Sequence, residues 1–176
     1  SCELLIMKLL LLFIIFVFFF NHSFSKEICE YSNTTKNDEV KYTEQKSIIV
    51  DDIKDHVIRI FKTETIHRNA RKNCEGLKVI KTDFYGISDY ILKSGKVKGY
   101  SIATYEDGSK IFSDLDGIAQ TPKDQSKNGL VFLSITITGG TGIYKGVKGF
   151  GNGKTEFNPE TGYSSGSTTI SYSILE

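Results

Sequence analysis

The chain has 176 residues and a formal net charge of +1, from 22 Lys and Arg against 21 Asp and Glu. That length is one domain with room for a proper core. The charge balance argues against a nucleic-acid partner, because proteins that live on phosphate backbones are far more basic, with their cations gathered on one face. The densest basic group, Arg68, Arg71 and Lys72, stands beside Asn69 and Asn73 and reads as a solvated turn.

The first element is an unbroken apolar run over residues 9–20, LLLLFIIFVFFF, preceded by Lys8. It falls short of the ~20 residues a membrane-spanning helix needs. Lys8, the run, and Ser23 and Ser25 together read as a cleavable signal peptide ending at Ser25. Met7 is the one methionine, so translation is expected to start there, with residues 1–6 an upstream extension. The rival reading is an uncleaved anchor, because the run is very hydrophobic. Cleavage implies a secreted or periplasmic protein with no stable membrane anchor. Residues 1–25 are thus leader, 26–44 a polar N-terminal arm, and 45–176 the folded domain.

Once Cys2 leaves with the leader, Cys29 and Cys74 remain. Two cysteines in an oxidising compartment make a Cys29–Cys74 disulfide the default, with two free thiols as the alternative.

Beyond the arm, short runs rich in Ile, Val, Thr, Tyr and Phe alternate with Gly, Asn, Asp and Lys. Strands are expected near 45–51, 56–67, 74–85, 96–105, 110–120, 130–138, 148–157 and 166–175. Asp107-Gly108 centres a tight hairpin, and Asn158-Pro159 opens another turn. The alternation is clean at Val131, Leu133, Ile135 and Ile137, and again at Thr168, Ile170, Tyr172 and Ile174. In residues 56–67, Ile58, Ile60 and Ile66 share a face with Lys62 and Glu64, so both faces are mixed, which fits an oligomer contact or a polar pocket. Gly149, Gly151 and Gly153 line one face of a strand, as at a bend or a bed for a neighbouring aromatic. No stretch sustains a helical apolar period, although a short helical turn fits 142–146. The expected architecture is an all-β, eight-stranded antiparallel up-and-down meander barrel, its interior filled by side chains or holding one small ligand.

At Gly139-Gly140-Thr141-Gly142, followed by Tyr144 and Gly149, the sequence resembles the strand–glycine turn of allene oxide cyclase-like and dirigent-like β-barrels. The resemblance extends to the Cys74-Glu75-Gly76 segment and the hairpin over 105–110, as in small exported bacterial members. It implies a barrel with a hydrophobic cavity, often assembled as a homotrimer, and either closure of a fatty-acid epoxide or orientation of phenolic radicals. Tyr144 is expected to plug one barrel end. None of either family's catalytic residues aligns here.

Chemistry in the sequence is sparse. The segment Gly149 to Thr155 fails phosphate-loop spacing, because Lys148 stands where the first glycine belongs. His56 and His67 would lie more than about 30 Å apart along one strand, and no metal-ligand spacing occurs, so neither metal nor cofactor is indicated. Asp114 and Asp116 share a strand face ~6.5–7 Å apart, and Glu64 lies among isoleucines; these are the acid candidates. Tyr85, Tyr100 and Tyr105 are the candidate ligand contacts at the barrel mouth. The leading expectation is a module that binds a small hydrophobic or aromatic molecule. The alternatives are an isomerase or cyclase and a structural envelope protein with a filled barrel.

Overall fold

The computed structural model describes residues 27–175 except 125, 159, 160 and 162; the leader assignment lies outside the described residues. The described chain is all-β and antiparallel. Nine strands form one sheet in the order β1-β9-β8-β7-β6-β5-β4-β3-β2. They are β1 (Cys29–Thr35), β2 (Val40–Ile49), β3 (His56–Ile66), β4 (Val79–Ile91), β5 (Ser94–Tyr105), β6 (Lys110–Gln120), β7 (Gly129–Thr141), β8 (Val147–Asn158) and β9 (Tyr163–Ile174). Strands β2 to β9 follow one another as a meander, and β1 returns to pair with β9.

Two expectations need correcting. The sheet has nine strands rather than eight, and it is not closed into a barrel: β1 and β2 are its two edges. The extra strand comes from the polar segment 26–44. There Cys29, Tyr31 and Asn33 point inward while Glu30, Ser32 and Thr34 face solvent, a period of two. The seam beside β1 is held by side chains instead of a ladder. Cys29 forms a disulfide with Cys74, Tyr31 Oη donates to the Arg71 carbonyl at 3.0 Å, and Asn33 Nδ2 lies 3.0 Å from His67 Nδ1. Buried Glu39 accepts the Arg68 amide at 2.8 Å and the Lys36 amide at 2.8 Å.

Strand β4 begins at Val79 rather than at Cys74, because Asn73 builds a turn ahead of it. The Asn73 amide donates to the Leu77 carbonyl, the Asn73 side chain accepts from the Leu77 amide at 3.0 Å, and Gly76 takes a φ of 76°. The glycine segment divides its labour. Gly142 takes a φ of 61° in a short 3-10 turn (Gly142–Tyr144), and a Cβ on Gly140 would stand 2.5 Å from the Lys110 carbonyl oxygen.

The densest part of the core lies under this turn. Tyr144 is wholly buried, with its ring centroid 4.5 Å from that of Tyr105 and 6.3 Å from that of Tyr172. Asn73 Nδ2 donates to the Tyr144 and Tyr172 hydroxyls, and the Tyr172 hydroxyl donates to Glu75. Three tyrosines therefore fill one end of the curled sheet with their polar tips satisfied. Burial holds the phenols of Tyr105 and Tyr172 far above the ordinary tyrosine range and pushes Tyr144 up to about 12.

Candidate ligand-binding cavity

Because the sheet curls on itself, inward-facing residues of all nine strands surround a cavity of about 310 Å³. Its apolar lining includes Val131, Leu133 and Ile135 of β7, where the alternation was read from the sequence, with Ile111 and Leu115 of β6 and Val97 of β5. Hydroxyls are interspersed with these and with the rings of Phe61 and Phe84: Thr63 and Thr65 of β3, Thr82 of β4, Ser113 of β6, and Ser167 and Thr168 of β9. Among the described lining residues there is no Asp, Glu, Lys or Arg. That volume sits at the lower end of the range for small-molecule sites.

One titratable relay faces this cavity. Asn33 Nδ2 has only hydrogens to offer, so His67 Nδ1 accepts from it; this leaves the ring proton on Nε2, 2.8 Å from Thr82 Oγ1. Nε2 donates to the threonine oxygen, and the Thr82 hydroxyl keeps its own proton for an acceptor in the cavity. Burial lowers the pKa of His67, opposed by the Glu39 charge, which favours the neutral ring that this relay needs.

The expected site residues scatter. Tyr105 lines the cavity and is buried in the tyrosine cluster, but Tyr85 and Tyr100 do not reach it. They are cross-strand partners on the outer face, 44% and 37% exposed. The phase of β4 accounts for Tyr85. A bulge between Val79 and Lys81 shifts the inward set from odd positions to Thr82, Phe84 and Tyr90. The acid candidates also lie outside. Asp114 and Asp116 are exposed on β6, and Glu64 forms an ion pair with Lys81 at 2.9 Å that holds its carboxyl below the ordinary range. Lys81 also meets Asp83 at 3.2 Å, so these carboxylates belong to a surface charge ladder. Gly149 and Gly151 provide room for strand β9, since a Cβ on them would stand 2.3 Å from the Ser171 and Thr169 carbonyl oxygens.

Sequence reasoning missed the other end of the inner face. Arg59 lies on β3 two residues before Phe61, on the same side, between the cross-strand partners Ser47 and Ser88. It borders an open recess with Tyr90, Leu92, Lys93 and Lys123. The available signal was parity: Arg59, Phe61 and Thr63 must share a face.

Among the described residues no His, Cys, Asp and Glu group could hold a metal, and no helix is long and apolar enough to cross a membrane. These features define an all-β protein with a disulfide and an internal cavity. No protein-family model, curated protein or solved structure matches the chain.

Proposed function

We propose that this is an exported binding protein that holds one small, largely apolar molecule inside its curled sheet. The observation that carries the reading is the cavity of about 310 Å³, lined by aliphatic and aromatic side chains with interspersed hydroxyls and with no charged carboxylate or ammonium among its described lining residues. Such a space favours a neutral apolar body with a hydrogen-bond acceptor opposite Thr82. The intramolecular disulfide supports an oxidising compartment, and with it the secreted or periplasmic location.

The cyclase reading has less support. Its acids would be Glu64, Asp114 or Asp116, and all three stand on the outer face. The filled-barrel reading is weakened by the cavity itself.

Native mass spectrometry of protein purified from its own host, before and after unfolding, tests the proposal. A companion mass released on unfolding is the expected result. The stronger check is Leu133→Phe, which fills the apolar wall: the companion should vanish while the fold survives. A companion retained at full occupancy in that variant would place it elsewhere and sink the reading.

A further inference from the structure

We propose that the recess around Arg59 is a phosphate-binding site, so that the molecule held by the sheet is the phosphate monoester of an apolar alcohol. This rests on the cavity reading above and names the chemistry of the ligand's second end.

The main cavity and the recess share a wall, because Tyr90 borders both. The two spaces adjoin at Tyr90, and in the proposed pose the body of the molecule fills the cavity and its far end lies at Arg59. Arg59 is half-buried, and among the described residues no carboxylate oxygen lies within 4 Å of any of its nitrogens. A partly desolvated guanidinium without a counterion is unfavourable, and an arriving anion relieves it. The recess adds Lys93 and Lys123 and a single acid, Asp55, so its charge favours a doubly charged group over a carboxylate. The guanidinium fork offers paired donors to two oxygens of a phosphate, and Ser88, beside Arg59 on β4, adds a hydroxyl. Burial pushes the Tyr90 phenol up to about 12, so it remains a donor at any physiological pH.

The backbone supplies an independent sign. Among the described residues three non-glycine residues take a left-handed conformation: Asp55 at φ 63°, Leu92 at 50° and Lys93 at 61°. All three border this recess, and the Leu92 amide donates to the Asp55 carbonyl at 3.2 Å, tying the two strained turns together. Strain of this kind persists where surrounding structure holds it, and it clusters at ligand sites.

Titration calorimetry of the disulfide-bonded protein tests this, with decyl phosphate, decanoate and decanol below their micellar concentrations and inorganic phosphate alone. Decyl phosphate should bind about tenfold or more tightly than decanol or decanoate. Arg59→Gln should erase that preference and leave decanol affinity unchanged. Ser47→Asp, at an exposed edge position beside Arg59, places an internal carboxylate there and should have the same effect without touching the core. If decanol binds as tightly as decyl phosphate, or if the preference survives in both variants, the phosphate site is overturned while the cavity reading stands. If inorganic phosphate binds and none of the decyl compounds does, the cavity reading fails and the ester with it.

Discussion

The two ends of the curled sheet are built on opposite principles. At one end Tyr105, Tyr144 and Tyr172 pack ring against ring, Asn73 satisfies two of their hydroxyls, and the Cys29–Cys74 disulfide ties the first strand down nearby. At the other end, among the described residues, no carboxylate oxygen lies within 4 Å of the half-buried Arg59, and two turns adopt left-handed backbone without glycine. One end has its polar groups paired and its space filled; the other carries an arginine without an ion-pair partner among the described residues, and strained backbone. The contrast teaches how the two ends divide the work: the plugged end fixes the fold, which lets the open end carry a less favourable arrangement, the one the proposed ligand would relieve.

The largest test of that contrast is the disulfide. It closes a loop with a sequence separation of 45, so removing it should lower stability by about 4 kcal/mol on the chain-entropy model. The double variant Cys29→Ser, Cys74→Ser, followed by urea unfolding, measures this. A loss well under about 1 kcal/mol would mean that β1 is held by its ladder to β9 and its bonds to Arg71 and His67 alone.

The open end should respond in the opposite direction. Leu92 and Lys93 are the central pair of a two-residue hairpin between Ile91 and Ser94, both with positive φ, where Asn-Gly is the favoured sequence. Leu92→Asn with Lys93→Gly should raise stability by about 1–2 kcal/mol, read as a higher midpoint in the same urea experiment. An unchanged or lower midpoint would show that these side chains contribute more by packing than their backbone costs.

Much of this architecture was legible in the sequence, and the failures have identifiable physics. Strand alternation at Val131 to Ile137 named the apolar wall, and the glycine segment marked the turn that Tyr144 caps. Strand β1 was hidden because its inward residues include Asn33 and its outward ones are all polar, so hydropathy showed only a polar arm. Tyr85 was misplaced because a bulge four to six residues upstream inverts the phase of β4, and no residue type announces a bulge. Tyr100 could have been placed: it lies five residues from Tyr105, an odd spacing, and two such residues cannot face one side of a regular strand. Arg59 was overlooked because its strand mixes charged and apolar residues on both faces, and parity says which residues share a face without saying which face is inside.

The smallest expected effect separates the two histidines that bound strand β3, and it turns on sign. His67 is half-buried with Asn33 and Thr82 against its ring and Glu39 nearby, and desolvation lowers its pKa. The unfolded chain binds its proton at about 6.5, so His67 makes the fold less stable as pH falls through and below that value. His56 lies at the surface between Asp52 at 2.6 Å and Asp89 at 2.7 Å, and hydrogen bonds to these carboxylates raise its pKa. Its contribution is fully present below about 6.5 and is lost as pH rises through the raised value. In the intact protein the two slopes oppose each other across pH 5–8. In His67→Gln stability should therefore decline with rising pH over that window, and in His56→Gln it should increase. Urea midpoints at several pH values read both slopes, and slopes of the same sign in the two variants would show that at least one histidine does not titrate as its neighbours dictate.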